Sequence, residues 1–185
     1  MMANTGKQFE KDFSSSIPDW FLLQRLYDPV DAFYTETKKY AKKQPCDYIG
    51  FNPIKRIFCA FELKSTKNSS IGFDDIYSNK EQNHMIPKHQ ILSLKKYSEY
   101  DGVLAGFFFN FRHEKQDIEM TYFQRISDFL NMCKIIKKQS FNEVDLLTAG
   151  KAIKIQGEKK RVHYKWNIED FLKEVEIKNN AGYSF

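Results

Sequence analysis

One stretch stands out in the pattern of apolar and polar positions: Ile57-Phe58-Cys59-Ala60-Phe61-Glu62-Leu63-Lys64. Its unbroken run of β-branched and aromatic residues predicts a buried strand. The run ends on an acid and a lysine two residues apart, which a strand directs to the same face. Upstream, Phe9, Phe13 and Ile17 recur every four residues and predict a helix over 5–17, with Thr5 and Gln8 as a capping box and Glu10 at the edge of the stripe. Pro18 and Asp19 end it, and the apolar stretch 20–27 reads as a strand. A further strand over 46–51 meets the Ile57 strand through the turn Asn52-Pro53-Ile54-Lys55, so the two form an antiparallel hairpin. Asp47 and Glu62 are symmetric about that turn and are expected to be neighbours.

The second half alternates in the same way. Residues 66–83 are polar and read as a loop. Pro87 opens a helix running from His89 to Tyr100, with His89 and Gln90 in its first turn and Ile91, Leu94 and Tyr97 or Ser98 on its buried side. Val103 to Phe111 is apolar enough to be a central strand, Met120 to Arg125 a fourth, and Ile126 to Cys133 a helix. Ser140 with Glu143 suggests a capping box for a helix carrying Leu146 and Leu147 and ending at Gly150; Asn167 caps a last helix with Ile168, Phe171 and Leu172. The order predicts an α/β fold, a mixed central β-sheet flanked by helices, in a single domain over 1–185.

Composition bounds this picture. The 185 residues are 42% hydrophobic, enough for a core, and a net charge of +5 permits an anionic partner without demanding one. Cys46, Cys59 and Cys133 match no zinc or redox spacing, Cys59 reads as core, and the polar N-terminus has no visible signal peptide. A reduced, cytoplasmic protein is expected, and the longest apolar stretch, Val103 to Phe109, is too short to span a membrane. The charge is uneven. Lys38, Lys39, Lys42 and Lys43 interleave with Tyr34 and Tyr40 in a segment, 28–44, of weak apolar periodicity. It reads as an exposed basic protrusion, either a solvated face or a surface that binds phosphates without reading sequence. Lys159, Lys160 and Arg161 form a second positive cluster.

Acid-x-Lys occurs at Glu36/Lys38, Glu62/Lys64, Glu158/Lys160 and Glu176/Lys178, so the pattern alone says little. Only Glu62/Lys64 ends an apolar strand with a second acid, Asp47, on the adjoining strand. Two converging carboxylates suit Mg²⁺, which takes hard oxygen ligands and keeps several waters. A lysine beside them can orient an attacking water or neutralise a phosphate. The set fits phosphodiester hydrolysis; the competing reading is an interstrand salt bridge.

These residues resemble the PD-(D/E)xK nuclease superfamily and, more narrowly, RecU-type Holliday junction resolvases of bacteria and their phages. Asn4-Thr5-Gly6-Lys7-Gln8-Phe9-Glu10, Cys46-Asp47-Tyr48-Ile49-Gly50, Phe61-Glu62-Leu63-Lys64-Ser65-Thr66 and Lys88-His89-Gln90-Ile91 are similar to four motifs of that family. Lys138-Gln139-Ser140 and His163-Tyr164 echo its C-terminal part more loosely. The resemblance implies a restriction-endonuclease-like core and Mg²⁺, with Mn²⁺ able to substitute, held by Asp47 and Glu62. It implies Lys64 as catalytic lysine, Gln90 completing the site, and Glu10 as a first-helix acid near the metal. It further implies a homodimer on four-way DNA junctions, with 28–44 as a stalk and Thr66 and Lys67 near the DNA. Thr5 stands where the family has arginine, and Cys46, Leu63 and Ser65 also depart from its pattern, a divergence that suits a phage protein. The alternatives are a repair or restriction nuclease of the same superfamily cutting duplex DNA, and a non-catalytic DNA-binding protein with the nuclease fold.

Overall fold

The computed structural model describes residues 5–27, 44–78 and 82–175. Five helices and ten strands follow in the order α1 (Thr5–Ser15), β1 (Leu22–Arg25), β2 (Tyr48–Asn52), β3 (Ile57–Thr66), β4 (Ile71–Gly72), α2 (Lys88–Tyr97), β5 (Val103–His113), β6 (Ile118–Arg125), α3 (Ile126–Ile136), β7 (Ser140–Phe141), α4 (Glu143–Thr148), β8 (Ile153–Ile155), β9 (Gly157–Lys159), β10 (Tyr164–Trp166) and α5 (Ile168–Glu174). Six of the strands form one sheet in the order β1-β2-β3-β5-β6-β8. The β3–β5 pairing is parallel, reached through the α2 crossover, and the other neighbours are antiparallel. The chain is thus an α/β protein with a mixed central sheet.

Helices cover both faces of this sheet, and alternation along its strands fills both covers. Phe61, Leu63 and Phe108 pack with Phe9 and Phe13 of α1 and Phe171 of α5. Their neighbours Ala60, Phe107 and Phe109 pack instead with Ile91 and Leu94 of α2, Phe129 and Met132 of α3 and Leu146 of α4. A strand buried on both faces is apolar at nearly every position, which is why β3 and β5 read as near-continuous apolar runs. The β2–β3 turn is fixed by Asn52, whose side-chain oxygen accepts from the amides of Ile54 (3.1 Å) and Lys55 (3.0 Å). All three cysteines are free thiols, with burial pushing each up to about 12.

Several local expectations are corrected. β3 runs on to Thr66, so Glu62 and Lys64 lie within the strand rather than at its end. The segment 66–83 is not all loop: Ile71 and Phe73 are buried, and β4 pairs with β7. That pairing puts Ser140 in a strand and moves the helix cap to Asn142, which accepts from the Asp145 amide while Asp145 accepts from the Asn142 amide. Helix α4 ends at Thr148, and its Leu147 is exposed. The hydrophilic tract after residue 150 holds three short strands, β8, β9 and β10. The α5 cap falls on Asn167 as the pattern predicts.

Candidate active site

Register builds the site. Tyr48 faces Phe61 across the β2–β3 pair, which sets Asp47, the residue before β2, beside the middle of β3. Asp47 Oδ2 accepts from the Leu63 amide at 2.7 Å, filling a backbone position that β2 is too short to pair. Glu62 is 1% exposed, a costly place for a carboxylate. Its Oε1 accepts from Lys64 Nζ at 2.8 Å and from Gln90 Nε2 at 2.5 Å. Gln90 reaches it from the first turn of α2, so strand β3 and the crossover helix aim three side chains at one point. Glu62 Oε2 and Gln90 Oε1 are buried with no hydrogen-bond partner among the described residues.

Glu10 projects from α1 and forms an ion pair with Arg25 of β1. Arg25 in turn lies opposite Tyr48, the residue that follows Asp47. A cleft of about 540 Å³ opens here, lined by Lys7, Glu10, Arg25 and Tyr48 among others. Arg25 is the residue that sequence reading missed. Its signal was a lone cation inside the apolar stretch 20–27, where it ends the observed strand β1. A more apolar cavity of about 410 Å³ lies between α2 and α3 over Phe73, Phe129 and Leu130, and holds none of these acids.

The electrostatics of the three acids agree in direction. Burial pushes Glu62 up to about 7, with Lys64 pulling down against it and Asp47 adding to it. Burial also raises Asp47, against the Leu63 amide and Lys64, which lower it. It raises Glu10 too, where Arg25 opposes the shift and Asp47 adds to it. Three acids, Glu10, Asp47 and Glu62, crowd together beside Lys64, Arg25 and Lys7, and the site has two orphaned acceptor oxygens. A small cation meets both needs. Among the described residues no three His, Cys, Asp or Glu side chains stand together as a ready-made metal cage. A two-carboxylate set completed by waters is the pattern for Mg²⁺, which seldom uses an all-protein cage.

The other expected contacts fare differently. Thr66 is 3% exposed and its hydroxyl accepts from the Asn68 amide at 3.0 Å, so this side chain offers no surface contact for DNA. Lys67 is exposed on the loop that follows. Lys38, Lys39, Lys42 and Lys43 lie outside the described residues, as does almost all of the segment 28–44. No helix among the described residues is long and apolar enough to cross a membrane.

No protein-family model matches the chain. The chain is similar to the SPbeta prophage-derived uncharacterized protein YotM of Bacillus subtilis (strain 168), at 31% identity over 136 residues, or 74% of this chain. The match spans 63% of that relative, less than two thirds of its length.

Proposed function

We propose that the chain is a metal-dependent endonuclease with a restriction-endonuclease-like core, of the PD-(D/E)xK kind. The observation that carries this reading is the buried Glu62, held by Lys64 and Gln90 beside Asp47, with one carboxylate oxygen unpartnered. A structural salt bridge between Glu62 and Lys64 would not need a second buried acid, Asp47, beside it. Mg²⁺ or Mn²⁺ would be held by Asp47 and Glu62, and such an ion supplies charge neutralisation at the scissile phosphate and a water of lowered pKa.

The rest of the work falls to the chain's own groups. Lys64 keeps its ammonium within hydrogen-bonding reach of Glu62, where it can hold the attacking water or a phosphate oxygen. Gln90 fixes the rotamer of Glu62, and the Leu63 amide fixes Asp47. Glu10 and Arg25 border the adjoining cleft, where Arg25 is placed to meet a phosphate. Within this class we favour a RecU-type resolvase of four-way DNA junctions, acting as a homodimer whose two-fold axis relates two nicks. The four sequence motifs and the basic segment before Asp47 support it, and the prophage-derived relative suits a role in phage DNA processing.

The test is cleavage of a labelled synthetic four-way junction beside a linear duplex of the same sequence. Symmetric nicks in the junction, dependent on Mg²⁺ or Mn²⁺ and absent from the duplex, are the expected result. Equal cutting of both would overturn the junction assignment and leave the nuclease.

A further inference from the structure

The second positive cluster of the sequence has a definite place in the fold. Strands β9 and β10 pair antiparallel, Tyr164 with Lys159 and Trp166 with Gly157, into a two-stranded ribbon. The Lys160 amide donates to the His163 carbonyl at 2.7 Å and closes its tip. One side of the ribbon is locked down. Tyr164 and Trp166 are buried and stacked on one another, and the Trp166 ring meets Phe9 edge-on. Their amides donate to Asp12 Oδ2 and Ser16 Oγ of the first helical segment, both at 2.9 Å.

The other side and the tip face solvent. Lys159, Arg161, Val162, His163 and Lys165 are exposed, Val162 to 77%. Lys159 pairs with Asp117 and Lys160 with Glu158. Arg161 forms no ion pair among the described residues. Anchoring accounts for Lys159 through its pair with Asp117 and leaves the charge of Arg161 at the tip without a part in it.

Its location matters as much as its charge. β3 and β5 run parallel, so both lead to the same end of the sheet. The Lys159–Asp117 pair holds the ribbon tip at that end, beside the β5–β6 turn. In the plane of the sheet, two strand spacings and about four residues of rise separate it from Lys64, roughly 15–20 Å; the ribbon packs on the α1 face, whereas Glu62 and Lys64 point to the α2 face, so a duplex that meets both passes across this end of the sheet.

We infer that this ribbon tip, with Lys160 and Arg161 at its centre, is a phosphate-backbone contact for a duplex arm running away from the active site. The inference rests on the nuclease reading above. It adds a surface separate from the basic segment before Asp47, on an anchored element that loses little entropy when it docks. Such contacts hold position without reading sequence.

The test is the Lys160→Ala/Arg161→Ala double variant, titrated with a fluorescent four-way junction without divalent metal across a salt series. Affinity should fall at least fivefold, and the slope of log K against log salt should become shallower by about 2, for two lost phosphate contacts. The unfolding midpoint and the turnover at saturating junction should stay as in the wild type. Wild-type binding with unchanged affinity in the variant would overturn the inference and leave the nuclease reading standing. No junction binding by the wild type would overturn both. If the wild type holds polyglutamate as tightly as the junction, and the variant loses both alike, the tip is a surface for an acidic protein and the inference fails.

Discussion

Replacing Lys64 by alanine should lower junction cleavage by about 10²–10⁴-fold, the usual weight of a positioned proton-transfer or charge-stabilising group, while junction binding stays within about threefold. The fold should survive the change. Lys64 Nζ lies 2.8 Å from Glu62 Oε1 and pulls the Glu62 pKa down. Without the lysine, Glu62 moves further up and is neutral near pH 7, so no unpaired buried charge remains. That shift also weakens metal binding, because a ligand must be deprotonated. The comparison therefore belongs at saturating Mn²⁺ and at pH 8 or above. A variant cutting at the wild-type rate there would remove Lys64 from the chemistry and leave it as a structural partner of Glu62.

Glu62 itself should oppose folding in the metal-free protein. In the folded chain it holds its proton up to about pH 7, against an ordinary value of 4.5. Between those values the folded state binds the additional proton, so stability falls as pH rises through that window. Above it the whole cost is present, about 3 kcal/mol for a shift of this size. Glutamine mimics the protonated acid. Glu62→Gln should therefore match the wild type near pH 4 and exceed it by about 3 kcal/mol at pH 8, measured by urea unfolding with a chelator present. Adding Mg²⁺ should stabilise the wild type and leave the variant unmoved. Equal stabilities at pH 8 would mean that Glu62 is not the strained acid described here. A residue that weakens the fold unless a ligand arrives is typical of a functional site.

The parts of the molecule that were legible in the sequence are those in which one residue pattern answers to one physical demand. β3 and β5 are buried on both faces, so each is an apolar run that can hardly be read otherwise. The turn at Asn52 needs a side chain that accepts from backbone amides, and its symmetry in the sequence sets Asp47 beside Glu62. Gln90 emerged from its motif and its place in the first turn of α2. Less was legible where several patterns compete. Asn142-x-x-Asp145 and Ser140-x-x-Glu143 are both caps by composition, and only the burial of Phe141 against β4 decides between them. The strands after residue 150 bury just Ile155, Tyr164 and Trp166, each flanked by charged or polar positions, so the tract reads as hydrophilic. The alternation Tyr164-Lys165-Trp166 was the available signal. The resemblance implies Thr66 near DNA, and its side chain is buried within β3.

Arg25 shows how a local reading misses a long-range partner. Near it in sequence stands the Tyr27 ring, 5.4 Å from its guanidinium; its ionic partner Glu10 lies on a helix that reaches it because β1 adds to the edge of the sheet. The side chains of the site come from α1, β1, the residue before β2, β3 and α2, and β3 is the one element they all surround. Its buried Glu62 is the residue on which the functional account depends.

The most direct measurement is cleavage of a labelled four-way junction by the wild type and by Glu62→Ala, side by side, with Mg²⁺ or Mn²⁺ and with a chelator. The account predicts metal-dependent nicks from the wild type, and from the variant binding without cutting. Robust cleavage by Glu62→Ala, or a wild type that binds junctions but never nicks them with either metal, would contradict it.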